Sequence, residues 1–100
     1  MVAALLALSL SYNPTILVFT SDWCPHCQTV KNYAVTLPYD VKIIDYDTNS
    51  HLVRRYSISQ VPTVIILENN RVVFRCHTVN SLERYLNAKA KMAILESETP

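Results

Sequence analysis

The chain has 100 residues, of which 50% are hydrophobic and 17% are charged, and its formal net charge is +1. This composition predicts one globular domain over residues 1–100 and excludes a disordered chain. The charges form no basic block, so nothing in the composition points to nucleic acid or an anionic membrane as a partner. The chain contains no glycine, although average usage is about 7%. This excludes the glycine-rich loops that bind nucleotide phosphates.

The N-terminal segment is apolar and predicts a first helix. Residues 2–10 are rich in Ala and Leu, and Asn13-Pro14 ends the helical pattern. The segment is shorter than the about 20 residues of a membrane span and lacks the positive start of a signal peptide. Three cysteines are also too few for a secreted disulfide scaffold. We therefore expect a cytoplasmic protein.

The rest of the chain alternates between strand and helix patterns. Residues 15–20 form an apolar run typical of a strand buried on both faces. Asn69-Asn70 can form a tight turn without glycine, because Asn tolerates positive φ. The further predicted elements are a helix at 25–36, a strand at 41–46, a short helix at 49–56, strands at 63–67 and 72–76, and a helix from 80 or 81 to 94. The order α-β-α-β-α-β-β-α indicates an α/β fold.

The strongest chemical signal is a pair of cysteines, Cys24 and Cys27, placed where a buried strand ends and a helix begins. The amide groups and dipole of a helix N-terminus stabilise a thiolate, so we expect the pKa of Cys24 to lie below the ordinary value of about 8.5. Cys27 follows one turn later and can attack a mixed disulfide formed at Cys24. Pro25 suits a first helical turn, and His26, when protonated, favours the reduced form. The pattern predicts a nucleophilic and a resolving thiol.

Other interpretations of the same residues stay open. A Cys-x-x-Cys pair can be half of a zinc site, but Cys76, His51 and His77 do not provide a second ligand pair at the usual spacing. The two thiols can also be structural. Trp23, immediately before the first thiol, is either core or part of a docking surface.

Two segments of the chain resemble the thioredoxin superfamily. Residues 19–27 read Phe-Thr-Ser-Asp-Trp-Cys-Pro-His-Cys, and residues 56–63 read Tyr-Ser-Ile-Ser-Gln-Val-Pro-Thr. The resemblance extends over nearly the whole chain and implies a thioredoxin-like fold, with a four-stranded mixed sheet flanked by helices. The chain lacks the first strand of typical thioredoxins, and in length it is similar to glutaredoxins and to short thioredoxin-like proteins of archaea and phages.

The resemblance also implies the residues of the site. It implies a cis peptide before Pro62, facing the Cys-Pro-His-Cys segment, and a hydrogen bond from the backbone of Val61 to an extended substrate. The expected substrate-binding residues are Trp23, Val61, Pro62, Thr63 and Thr78. The family needs no metal and no cofactor beyond the redox-active disulfide. Its partners are disulfide-containing proteins, among them ribonucleotide reductase, with thioredoxin reductase or glutathione as electron donor.

The sequence departs from the family pattern at several positions. Val18 replaces a buried carboxylate that helps to move the proton of the resolving thiol, and Pro25-His26 replaces Gly-Pro and resembles the periplasmic disulfide oxidases. The Gly-Gly pair with which glutaredoxins bind glutathione is missing, and Cys76 is expected to be a small buried hydrophobe. Three functions are therefore compared: a thiol–disulfide oxidoreductase of protein disulfides, a glutaredoxin-like reductase linked to glutathione, and a non-catalytic binding module.

Overall fold

The computed structural model describes residues 12–98, and for residues 96–98 it describes the backbone alone. The helix predicted over residues 2–10 lies outside the described residues. Beyond it, strands and helices alternate in the predicted order.

Four strands form one mixed sheet in the order β2-β1-β3-β4. The strands are β1 (Thr15–Thr20), β2 (Asp40–Asp45), β3 (Thr63–Glu68) and β4 (Arg71–Cys76). Central strand β1 pairs in parallel with β2 and antiparallel with β3, and β3 pairs antiparallel with β4. This confirms the four-stranded mixed sheet of a thioredoxin-like fold.

Three described helices flank the sheet: α1 (Pro25–Ala34), α2 (Ser50–Arg55) and α3 (Val79–Glu98). Helix α1 ends at Ala34 rather than at residue 36, because both the amide and the hydroxyl of Thr36 donate to the carbonyl of Tyr33 and tighten the last turn. Within residues 12–98, no helix combines the length and apolar character that a membrane span requires.

Helix α3 is longer than the predicted 80–94. Its N-terminus is held by Thr78, whose side-chain oxygen accepts from the amide of Ser81 at 3.2 Å and whose carbonyl accepts from the amide of Leu82 at 3.1 Å. A threonine at this position satisfies amides that otherwise lack partners, so the helix begins earlier than the apolar periodicity indicates.

Both faces of the sheet are covered, which explains the continuous apolar runs in β1 and β3. Ile16 and Val18 lie on the face that packs against Val30 of α1 and Leu82 of α3. The opposite face packs against α2 and the segment that follows it; its buried residues are Leu17, Phe19, Ile44, Ile58, Ile65 and Leu67. Each fully buried Ile or Val side chain contributes about 1.5–3 kcal/mol relative to an exposed one.

The tight turn between β3 and β4 forms without glycine, as predicted. Asn69 and Asn70 have φ angles of 53° and 65°, in the left-handed region that Asn tolerates better than most residues. Ser57, after α2, has a φ of 54°. Serine does not favour this left-handed conformation. The segment that begins at Ser57 is therefore held by other contacts, which are described below.

Candidate redox site

The sheet topology brings four chain segments to one edge. Parallel strands β1 and β2 both end there, and the amide of Tyr46 donates to the carbonyl of Thr20 at 2.8 Å. Because β3 runs antiparallel to β1, its first residue, Thr63, lies opposite Phe19. The last residue of β4, Cys76, in turn pairs with Val64. Residues 21–24, 46–47, 61–63 and 77–78 therefore meet at this edge.

Cys24 and Cys27 form a disulfide bond, with their Cα atoms 5.4 Å apart, within the usual range for such bonds. Cys24 is the N-cap residue of α1, Pro25 occupies the first helical turn, and no side chain caps the helix. The amide of Cys24 donates to the carbonyl of Ser21 at 3.2 Å. Cys24 retains 9% of its surface and Cys27 only 2%. Of the two cysteines, the one at the N-terminus of the helix thus retains the larger exposed fraction.

The Val61–Pro62 peptide bond is cis, as the family resemblance implies. Pro62 is buried and Val61 half-buried. Together with residues of α1 and the start of α3 they line a groove of about 520 Å³, which we call the docking groove; its lining consists of His26, Thr29, Val30, Gln60, Val61, Pro62, His77, Thr78, Val79 and Asn80. Three of the expected substrate-binding residues, Val61, Pro62 and Thr78, are brought together here with His26.

Thr63 differs from the role expected of it. Its side chain is 1% exposed, its hydroxyl donates to the carbonyl of Gln60 at 2.7 Å, and Nδ1 of His77 lies 3.1 Å from the same oxygen. It is absent from the lining of the docking groove. The hydroxyl therefore anchors the groove wall instead of facing a substrate.

On the other side of the disulfide lies the carboxylate of Asp47, which was not among the site residues predicted from the sequence. The hydroxyl of Ser21 donates to Oδ2 of Asp47 at 2.6 Å, and the indole N–H of Trp23 donates to the same oxygen at 3.1 Å. Trp23 is 67% exposed, so it is a surface residue and not part of the core. Asp47 could have been found from the sequence, because it follows a strand that runs parallel to β1 and ends at the same edge.

A polar cavity of about 200 Å³ lies next to both cysteines. Thr20, Ser21, Asp22, Cys24, Pro25, Cys27, Gln28 and Lys31 line it. Val18 is fully buried in the core beneath α1 and does not reach this cavity. The charged side chains that line this cavity are Asp22 and Lys31, and both are exposed.

Arg75 of β4 stabilises the segment that leads to Pro62. Its guanidinium donates to the carbonyl of Ser57 at 3.3 Å and also to the carbonyl of Tyr56. These bonds provide hydrogen-bond donors for two carbonyl groups at the C-terminal end of α2, and they hold the left-handed conformation of Ser57. In the sequence, Arg75 is only one residue of a predicted strand. Its role depends on how β4 lies against the segment before Pro62, and sequence patterns do not encode that arrangement.

The remaining metal-ligand candidates are Cys76, His51 and His77, and of these His77 lines the docking groove. Cys76 is a buried free thiol, and burial raises its pKa to about 11, so it remains protonated at neutral pH. His51 is exposed on α2. In the part of the chain that the structure describes, no three His, Cys, Asp or Glu side chains are grouped to hold a metal ion.

Comparisons with known proteins agree with this geometry. The thioredoxin family model matches residues 6–91, and no curated protein matches the chain. A thioredoxin from Trypanosoma brucei brucei is 27% identical, with 79% of this chain and 76% of that chain covered and a TM-score of 0.69. Thioredoxin F from spinach chloroplast (short form) is 26% identical, with 79% and 77% covered and a TM-score of 0.66. Trxlp from Edwardsiella tarda, at 23% identity, 84% and 91% coverage and a TM-score of 0.64, shares the fold.

Proposed function

We propose that this chain, which belongs to the thioredoxin family, is a thiol–disulfide oxidoreductase that reduces or exchanges disulfide bonds of protein substrates. The observation that carries the proposal is the Cys24–Cys27 disulfide at the N-terminus of α1. It lies at the sheet edge where the cis Val61–Pro62 bond also lies. A dithiol that closes to a disulfide within one helical turn can give two electrons to another disulfide, and in its disulfide form it can take two electrons from another dithiol.

In the proposed reaction the reduced protein acts through two exchanges. The Cys24 thiolate attacks one sulfur of the substrate disulfide, the substrate S–S bond breaks, and the departing substrate thiolate takes a proton from water. Cys27 then loses its proton to water and attacks Cys24 Sγ, which releases the second substrate thiolate. The substrate gains two electrons, and the Cys24–Cys27 disulfide forms. Cys24 serves as nucleophile because it is the N-cap residue and retains more exposed surface than Cys27.

The surrounding residues position the substrate and adjust the thiols. Val61 and Pro62 form a wall of the docking groove, and an extended substrate segment bonds to the backbone of Val61. Trp23 and Thr78 extend the docking surface on either side. Pro25 lets α1 begin at Cys24, and His26, exposed on the first turn, stabilises the thiolate when it is protonated.

The oxidised protein must be reduced by an external donor of two electrons. We propose a thioredoxin reductase as this donor, in the cytoplasm, with disulfide-containing proteins such as ribonucleotide reductase as targets. The glycine pair that glutaredoxins use for glutathione is missing from this glycine-free chain, which favours the protein donor over glutathione.

The first test measures turnover of a disulfide-bonded protein, with dithiothreitol as electron donor. Cys24→Ser should reduce the rate to that of dithiothreitol alone, because no nucleophile remains at the helix N-terminus. Cys27→Ser should slow turnover, because the mixed disulfide at Cys24 must then be resolved by dithiothreitol. Cys76→Ala is the matched control and should retain the full rate, since the buried thiol is protonated. If Cys24→Ser retained activity, the proposal would be wrong.

A further inference from the structure

His77 is held in one orientation at the wall of the docking groove. Its Nδ1 atom lies 3.1 Å from the side-chain oxygen of Thr63 and 3.1 Å from the carbonyl oxygen of Pro62. The residue is nevertheless exposed and lines the groove. One ring nitrogen is thus fixed by the protein, while the side chain remains accessible to a substrate.

The hydrogen bonds around Nδ1 assign the tautomer of the neutral ring. The carbonyl of Pro62 can only accept a hydrogen bond. The hydroxyl of Thr63 uses its single hydrogen to donate to the carbonyl of Gln60 at 2.7 Å, so its oxygen can only accept from His77. Both neighbours of Nδ1 are therefore acceptors, and Nδ1 carries the hydrogen. Nε2 is left as the nitrogen that gains or loses a proton.

The docking groove carries no fixed charge, so its imidazoles determine its charge. His26 and His77 line it, and among the described residues of its lining none is Asp, Glu, Lys or Arg. Protonation of either ring makes the groove positive without a carboxylate of the protein in the lining to compensate.

The charged groups on the neighbouring elements have other partners or positions. Arg75, on the same strand as His77, is bonded to the carbonyls of Tyr56 and Ser57. Glu83 of α3 lies on the side of α1, where burial raises the pKa of Tyr33 and the negative charge of Glu83 raises it further.

The charged side chains on the other side of α1 also lie apart from the docking groove. Lys31 and Asp22 line the polar cavity next to the cysteines, and Asp47 is bonded to Ser21 and Trp23. Cys76, adjacent to His77, stays neutral because burial raises its pKa to about 11.

We propose that His77 is a specificity-determining residue, which selects disulfide substrates with a carboxylate beside the reacting cystine. Thr63 is the positioning residue that fixes the ring, and protonated Nε2 binds the substrate carboxylate, with His26 adding to the positive charge. The proposal rests on the proposed function and names the substrate class of that site: extended, acidic polypeptide segments. The preference is strongest below the pH at which the imidazoles lose their protons.

The test compares two disulfide-linked peptides that differ only in two residues beside the cystine, Glu in one and Gln in the other. The reduced protein is mixed with each peptide, and the rate constant of its oxidation is followed through the fluorescence of Trp23, the single tryptophan of the chain. The ratio of the two rate constants is measured near pH 6 and near pH 8. Changes in thiolate content affect both peptides equally and cancel in this ratio.

We expect the Glu peptide to react about two- to five-fold faster near pH 6, the scale of an exposed ion pair, and the ratio to approach one near pH 8. His77→Gln should remove most of the difference near pH 6. His51→Gln, which removes an exposed imidazole on α2, is the matched control and should leave the ratio unchanged. Thr63→Val should lower the ratio, and Thr63→Ser, which keeps the hydroxyl, should restore it.

A ratio of one near pH 6 in the unchanged protein, or an equal ratio in His77→Gln, would overturn this inference. In that case both peptides still oxidise the protein, so the proposed function stands. If neither peptide oxidised it, both proposals would fail together. A long-range ¹H–¹⁵N correlation spectrum of the imidazoles provides a second measurement: a neutral His77 ring with its hydrogen on Nε2 would contradict the assignment of the tautomer.

Discussion

The two sides of the disulfide differ in how they are built. On one side, the docking groove is lined by Val61, Pro62 and His77, and the titratable side chains among its described lining residues are imidazoles. On the other side, which we call the polar flank, Asp47 bonds to Ser21 and Trp23 and Lys31 lines a small cavity. Under the two proposals the work is divided: the groove recognises the substrate, and the polar flank fixes the active-site loop and the charge around the thiols.

The two sides are also held by different parts of the fold. The polar flank depends on parallel strands β1 and β2 ending together, so a carboxylate from the segment after β2 reaches the loop after β1. The groove depends on antiparallel pairing, which places the start of β3 beside the end of β4. A substitution in the polar flank should therefore change the rate of thiol exchange and leave the substrate preference largely intact. A substitution in the groove should change the substrate preference and leave the rate largely intact.

The largest effect is expected from breaking the polar flank at Asp47. In Asp47→Ala the hydroxyl of Ser21 and the indole N–H of Trp23 both lose their acceptor. We expect exchange with a disulfide substrate to slow by about three- to ten-fold, because the loop that carries Cys24 is less well positioned, and stability to fall by about 1 kcal/mol. Stopped-flow kinetics and thermal unfolding measure the two effects.

Asp40→Ala serves as the control for this variant, since Asp40 is an exposed carboxylate at the start of β2, at the opposite end of the strand. The ratio of rates for acidic and amide peptides should stay the same in Asp47→Ala, because the groove is intact. A loss of that preference would show that the two sides are not separable.

A smaller effect is expected at Lys31. Its ammonium group lines the cavity that both cysteines border, and a positive charge near a thiolate stabilises it. Lys31→Gln should raise the pH midpoint of iodoacetamide alkylation of the reduced protein by about half a unit or less, because an exposed charge is screened by solvent and salt. Lys91→Gln, an exposed lysine of α3, should leave the midpoint unchanged. Equal shifts in both variants would argue against a local role for Lys31.

Much of the fold follows from patterns within the sequence. Apolar runs predicted the two buried strands β1 and β3, and Asn69-Asn70 predicted a turn that glycine usually makes. The boundaries of α1 and α3 were less accurate, because Thr36 and Thr78 act through single side-chain hydrogen bonds that leave no periodic signal. The first predicted helix lies outside the described residues.

The site was predictable where its chemistry lies within one segment. Cys24 and Cys27 are close in sequence, and the motif that ends in Pro62 is contiguous. The place of Asp47 after a strand that ends at the same edge could be inferred from the sequence, but its bonds to Ser21 and Trp23 could not. The contacts of Arg75 and the Thr63–His77 contact depend on long-range register, which the sequence pattern alone does not specify. The sequence shows that Thr63 follows Pro62 in the motif, and we therefore expected it to contact substrate. The sequence does not show that Thr63 is buried.

The most direct test of the central claim is to trap the first covalent step. Reduced Cys27→Ser is mixed with a disulfide-bonded protein, free thiols are blocked, and the product is digested and analysed by mass spectrometry. The account predicts a mixed disulfide between the substrate and Cys24, which accumulates because no resolving thiol is present. An adduct at Cys76, or no adduct while the substrate is reduced, would contradict it.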